Sequence, residues 1–457
     1  MDIRLSENEK YGKFEGFGAS GAWWAQEVGG WTHTDSDSGL SVRDRISQLL
    51  YSKDEGIGLR TYRYNIGAGS KESGKGDIGN PLRRTESFGK GDGKYDFTRD
   101  KNAVYMMKQA AKDGADEIIL FVNSPIESLT KNGMSHLGKR QLMRDNLSPE
   151  NYKAFAEYCL DVTEHFANEG LPVKYLSPIN EPIWIWNGGQ EGCHYSPLSA
   201  RRVMKCFAEE MNKREKLRDV KLSGVESGDV RWFNKSYTRA LMHYESVRKR
   251  IDSVDVHSYC LPLPVPVKAL NDRVAFIKRY RRWLDKHYPS LPVKMSEWCH
   301  MKGGRDSTMA SALVTANTIY EDISILRVCS WQHWIAVSEV DYCDGLIYIN
   351  LEDKTFSMTK RYYVTGNFSK YIPFEAERVG VCCEDSALKL LAFRKNKKTV
   401  VIAINGTGEE KNVSFPGLSE MITVAVTDEK RNLEEKTVRN KDIIIPSESV
   451  CTFISEG

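Results

Sequence analysis

From about residue 14 to residue 336, short apolar runs alternate with longer amphipathic segments. That rhythm predicts repeated strand–helix units and a parallel sheet. Eight runs read as strands: Phe14–Gly21, Leu59–Gly67, Glu117–Ser124, Val173–Glu181, Lys221–Ser227, Ser253–Cys260, Val293–Cys299 and Ser330–Ala336. Helical patterning fills Asn102–Asp113, Pro149–Glu169, Ser199–Arg214, Trp232–Arg248 and Asp272–His287. Ser148 ahead of Pro149 marks a helix start, because a first turn does not need the N–H that proline lacks. The fold class this predicts is α/β, a (β/α)8 barrel with enlarged loops, a long one running from Gly67 to Lys94.

After about residue 345 the pattern changes. Leu388–Phe393, Thr399–Asn405, Lys411–Phe415, Met421–Thr427, Asp442–Ile445 and Val450–Ile454 are short runs separated by Gly, Asn, Asp and Glu. No helical pattern lies among them, which predicts a β-sandwich side domain. Asp2–Leu5 is too short and too early for the barrel, and is expected to join that sandwich. The expected division is a barrel over 14–344 and a side domain from 1–13 and 345–457.

Composition narrows the partners. A net charge of +3 over 457 residues gives no strong field toward nucleic acid or an acidic membrane. No apolar run reaches the roughly 18 residues of a membrane helix. Ten Trp, 21 Tyr and 16 Phe form a rich aromatic supply, useful against the apolar faces of sugars although most must pack the core. Ten cysteines without C-x-x-C spacing, several in apolar segments, favour a reducing compartment. The first residues lack the apolar core of a signal peptide, so the expectation is cytoplasmic, or secreted if a leader has been removed.

The chemistry sits at two strand ends. The fourth strand finishes at Asn180-Glu181-Pro182 and the seventh at Ser296-Glu297-Trp298. In a parallel barrel the C-terminal strand ends meet on one rim, where active sites of this fold lie. Two carboxylates would therefore face each other, as glycoside hydrolysis requires: a neutral acid for the leaving oxygen and an anion at the anomeric carbon. Asn180 is placed to hold a sugar hydroxyl. Any one strand-end Glu could be a surface or ion-pair residue; the pair on matched strands argues for catalysis.

Other chemistries lack their residues. Gly16-Phe-Gly-Ala-Ser-Gly has neither the spacing nor the Lys of a phosphate loop. Cys193-His194 and Cys299-His300 have no matched third and fourth ligands, so neither a metal nor a cofactor is expected.

The Asn180-Glu181-Pro182 and Ser296-Glu297 strand ends resemble the clan A retaining glycosidases. The opening Phe14-Glu-Gly-Phe-Gly-Ala-Ser-Gly-Ala-Trp-Trp24 and the second strand, Tyr62-Arg63-Tyr64-Asn65-Ile66-Gly67, look like glycoside hydrolase family 30. The family's side β-sandwich also matches. The resemblance implies Glu181 as acid/base and Glu297 as nucleophile of a retaining double displacement. Gln190-Glu191-Gly192-Cys193-His194-Tyr195 looks most like the β-1,6-galactanase branch. The same fold acting on xylan, β-glucan or glucosyl lipid is the first alternative, and a carbohydrate-binding protein without catalysis is the second.

Supporting residues follow. Arg63 and Asn65 end the second strand, where they reach a sugar or Glu181, or where Arg63 pairs with a core carboxylate. His257 and Tyr259 alternate onto one side of the sixth strand. By resemblance one of them contacts the nucleophile; a core histidine is the alternative. By the same resemblance Trp331 on the eighth strand is expected as the stacking floor, and the loop positions of Trp24 and Trp184 make them further candidate sugar contacts. Alternation alone leaves open which of Trp331, Gln332, His333 and Trp334 faces the cleft.

Overall fold

The computed structural model describes residues 1–139, 143–232, 234–260, 272–441 and 443–457. All eight expected barrel strands are present, as Gly16–Ser20, Thr61–Asn65, Glu117–Phe121, Val173–Ser177, Lys221–Leu222, Val254–His257, Val293–Trp298 and Ser330–Ser338. The chain divides into two compact units, one comprising 19–47 and 61–298, the other 1–18, 48–60 and 299–457.

The first unit carries the second to seventh strands. Thr61–Asn65, Glu117–Phe121, Val173–Ser177 and Lys221–Leu222 pair in parallel, in that order. A parallel bridge from Ser227 to Val256 leads to Val254–His257, which pairs with Val293–Trp298. Glu117-Ile-Ile-Leu-Phe121 is buried along its whole length, the near-continuous apolar strand expected where both sheet faces are covered. Its neighbouring helices are one-sided. Tyr152–Asn168 buries Phe155, Cys159, Val162 and Phe166 at spacings of three and four, which places them on one stripe. Ser196 caps Pro197–Met211 by accepting from Ser199 N–H, and Asp272 caps Arg273–His287 through Ala275 N–H.

The second unit holds a seven-stranded antiparallel sheet. Its order is Arg4–Phe14, Ala376–Cys382, Leu388–Lys395, Lys398–Asn405, Ser449–Glu456, Met421–Thr427 and Glu434–Arg439. Lys411–Val413 and Ile443–Ile445 pair separately. Leu390, Val401, Val424 and Phe453 share one buried cluster with Val413 and Ile445, so two sheets face each other across a common core. The N-terminal segment does join this sandwich: Ile3 lies in its core and Leu5 pairs with Val381.

Several elements went unseen in the sequence. Glu434–Arg439 is Glu-Glu-Lys-Thr-Val-Arg, a charged, mostly exposed edge strand with no apolar alternation to detect. Lys360–Ser369 is a helix buried on nearly every side, so it shows no amphipathic period; only its Thr359 cap is legible. The helix expected over Trp232–Arg248 is two, Asn234–Leu241 and Glu245–Arg248, and its position 233 lies outside the described residues. Position 442, the start of another expected strand, also lies outside them.

Candidate active site

Strand register brings five charged side chains to one end of the parallel run. Arg63 is the middle residue of the five-residue second strand, with Asn65 at its end. Asn180 bridges in parallel to Glu226, and Glu181 N–H donates to Glu226 O at 2.8 Å. His257 N–H donates to Ser227 O, and a bulge after Val256 sets His257 opposite Glu297. Backbone pairing thus fixes the height of every member before any side chain is considered.

The side chains form one buried network. Glu297 receives Arg63 Nη1 at 3.2 Å and the Tyr259 hydroxyl at 3.3 Å. Arg63 Nη2 donates to Glu226 Oε2 at 2.7 Å. His257 spans the rest, with Nδ1 2.8 Å from Glu181 Oε1 and Nε2 3.0 Å from Glu226 Oε2. Its Nδ1 also lies 3.5 Å from Glu297 Oε1. One oxygen of Glu181 and one of Glu297 lie within 4.8 Å of each other.

Charge decides the protonation. Burial alone would keep His257 neutral, but the Glu297 charge and the hydrogen bonds to Glu181 and Glu226 lift it to about 10, so it is an imidazolium at neutral pH. Burial likewise works against the Glu226 anion, yet Arg63 and His257 hold its carboxyl below the usual range. For Glu297, burial and the Glu181 charge outweigh His257 and Arg63 and push the carboxyl up to about 7. Three carboxylates face two cations here, so the network is neutral when it carries one further proton.

Glu181 occupies the left-handed region, with φ 43°. A non-glycine residue pays for that conformation, and such residues cluster at functional sites. The Trp186 indole N–H holds the Glu181 carbonyl at 3.0 Å. Beside the carboxylates runs a chain of amides: Asn180 Nδ2 donates to Asn123 Oδ1 at 3.1 Å, and Asn123 Nδ2 donates to Asn65 Oδ1 at 3.3 Å. Asn180 Oδ1 and Asn65 Nδ2, the two ends, are buried and have no protein partner.

Glu181, Glu297, Asn180, Arg63, Asn65, His257 and Tyr259 are therefore brought together as the strand-end reading expected. Trp184 is half-buried and its Nε1 lies over Gly228 beside the Glu181 carboxyl. Two tryptophans are corrections. Trp24 has no exposed surface and its indole N–H is spent on Ser20 O. Trp331 is equally buried, donating to Asp322 and packing against Phe17. A ring without exposed area cannot stack on a sugar. Trp334 is half-buried, three positions on and so on the opposite strand face.

Glu226 and Asn123 were missed. Their only trace is a polar residue at a strand end, Val225-Glu226-Ser227 and Val122-Asn123-Ser124, and many surface residues share that trace. Among the described residues Glu181, His257 and Glu297 have metal-like spacing. Both His257 nitrogens lie within hydrogen-bond distance of carboxylates, so the same spacing is that of an ion-pair network.

The chain is similar to several known proteins. Over 443 residues the chain is 25% identical to an endo-β-1,6-galactanase of Hypocrea rufa, covering 90% of this chain and 82% of that protein. It superposes on a conserved exported protein from Bacteroides fragilis with TM-score 0.86 and 23% identity, covering 99% of this chain and 100% of that one. The catalytic domain of the family 30 xylanase C from Talaromyces cellulolyticus gives TM-score 0.75 at 18% identity, over the whole of both chains. The model of O-glycosyl hydrolase family 30 matches residues 1–348. The chain belongs to that family, and is a glycoside hydrolase with a (β/α)8 barrel and a β-sandwich side domain.

Proposed function

We propose that this enzyme hydrolyses a β-linked glycan with retention of configuration, with Glu297 as nucleophile and Glu181 as acid/base. The observation that carries the reading is the approach of the two carboxylates, oxygen to oxygen within 4.8 Å. Retaining pairs stand about 5–5.5 Å apart, whereas inverting pairs need about 6.5–9.5 Å to admit a water. In the first step a Glu297 oxygen bonds to the anomeric carbon, the glycosidic C–O bond breaks, and Glu181 gives its proton to the leaving oxygen. In the second, Glu181 takes a proton from water, whose oxygen displaces Glu297. Arg63 and Tyr259 hold the Glu297 carboxylate in line. Asn180 Oδ1 receives a sugar hydroxyl. In this reading residues 14–344 make the catalytic barrel, and 1–13 with 345–457 the side domain.

For the substrate, the 25% identity to a β-1,6-galactanase over most of the chain supports β-1,6-galactan. The alternative is xylan, β-glucan or another β-glycoside, on the likeness to a xylanase fold. No helix among the described residues is long and apolar enough to cross a membrane. The ten free cysteines suit a reducing compartment. Product analysis on a β-glycan panel tests the substrate. Short galactans released by wild type, and not by Glu297→Ala, support it; turnover confined to xylan or β-glucan overturns galactan, and turnover of no β-glycan overturns the hydrolytic reading of this site.

A further inference from the structure

The outer helices Asn234–Leu241 and Arg273–His287 meet through the Thr238 and Tyr280 hydroxyls, 2.7 Å apart. Where the first of them begins, a cavity of about 230 Å³ lies between the two. Drug-sized ligands need about 300–1,000 Å³, so the space suits a small ion or a compact ester. Its two rings, Phe276 and Tyr280, are buried and have little face to offer a sugar.

Asn234 lines this cavity and is only 6% exposed, yet neither its Oδ1 nor its Nδ2 has a protein partner. Folded proteins rarely bury a polar group in that state, because its desolvation is then uncompensated. Two cations flank it. Lys235 and Arg279 also line the cavity, and neither has a carboxylate within ion-pair distance among the described residues. The acids next to them in sequence are committed elsewhere: Asp229 to Arg231 at 2.6 Å, and Asp272 to the Ala275 N–H that it caps. The exposed side of Arg273–His287 adds Lys278, Arg282 and Lys286, again without ion-pair partners among the described residues. Asp285 on the same helix is held by Arg281 at 2.9 Å. The surroundings are therefore positive, and the first turn of Asn234–Leu241 adds the positive end of its dipole.

We propose that this cavity binds a phosphate group, as the free ion or as a small monoester. Lys235 and Arg279 neutralise the oxyanion, and Asn234 Nδ2 donates to one of its oxygens. Asn234 Oδ1 accepts from the P–OH of the free ion, or from a hydroxyl of the ester. That last contact separates phosphate from sulfate, which has the same shape but no proton to give. The proposal is independent of the glycosidase reading.

The test titrates inorganic phosphate, glucose 6-phosphate and sulfate into the whole chain by calorimetry, near pH 6 and at constant ionic strength. Wild type is expected to bind phosphate with a Kd on the order of 1 mM, and sulfate at least about tenfold more weakly. Glucose 6-phosphate binding more tightly than phosphate supports the site as one for an ester; equal or weaker binding supports it as one for the free ion. Lys235→Ala/Arg279→Ala should weaken phosphate about tenfold or more, and these exposed or half-buried positions leave the fold intact. Asn234→Leu should remove the preference over sulfate. Since Asn234 has no side-chain hydrogen bond to lose, thermal unfolding of that variant should match wild type. No binding of phosphate or its ester by wild type at about 20 mM overturns the site. So does equal affinity for phosphate and sulfate in wild type, or phosphate affinity unchanged in the double variant.

Discussion

The Glu181 carboxyl lies directly over the Cα of Gly228. A methyl group at 228 would sit 2.9 Å from the Glu181 carboxyl carbon and Oε1, and 2.5 Å from Trp184 Nε1. Those are the mobile ends of two side chains, so the fold can yield; the proton donor cannot without leaving its place. Gly228→Ala should therefore lower kcat on the order of 10²-fold, the loss that roughly 1 Å of misplacement causes. Stability should fall by only about 1–3 kcal/mol. Steady-state kinetics beside thermal unfolding checks this; full activity would mean that the Glu181 position is not critical.

For a substrate whose leaving group needs no acid, Glu181 can stay ionised. The acidic limb of the pH–rate profile should then report Glu297, which must be ionised to attack and whose carboxyl is held above the usual carboxylate range. The Glu181 charge holds that carboxyl up, while the His257 charge pulls it down. On an aryl glycoside whose leaving group needs no acid, Glu181→Gln should move the limb to lower pH. His257→Gln should move it to higher pH. Shifts in the same direction would contradict this electrostatic account.

Glu226 touches neither the proposed bond-making nor the bond-breaking atoms, yet it balances both Arg63 and His257 from a fully buried position. Glu226→Gln keeps the shape and deletes the charge. Breaking a buried pair from one side costs about 3–5 kcal/mol, and urea unfolding should show a loss of that size. A loss under about 1 kcal/mol would mean that Arg63 and His257 are balanced elsewhere.

Glu191 gives a pH signature away from catalysis. Burial, opposed by the hydrogen bonds from Ser70, Thr85 and Ala68, pushes its carboxyl up to about 7. Because the folded state holds the proton more tightly, the stabilisation is full below the ordinary carboxylate range. It is lost as pH rises through about 7. Glu191→Gln cannot titrate, so the stability gap between wild type and variant should narrow from pH 5 to pH 8. A gap that widens would reverse the assigned direction.

The sequence made the barrel legible because parallel strands buried on both faces write themselves as apolar runs, and the helices between them as one-sided stripes. Glu181 and Glu297 were legible for a related reason: a carboxylate closing such a run must face the rim. Glu226 was not, since its meaning lies in Arg63 and His257, far away along the chain. The tryptophans misled in the opposite way. Family resemblance nominated Trp331 as a sugar platform and loop position nominated Trp24 as a sugar contact, but exposure is a tertiary property, and both rings are sealed in the core. Glu434–Arg439 shows the same limit at the fold level, because an exposed edge strand has no apolar face to announce it.

The central claim is that Glu297 attacks and Glu181 serves as acid and then base. The most direct measurement follows the first anomer released from a cleaved β-glycoside by proton NMR, before mutarotation. The account predicts the β-anomer, since two displacements at one carbon restore its configuration. An α-anomer appearing first would mean one displacement by water, and would contradict the nucleophilic role of Glu297.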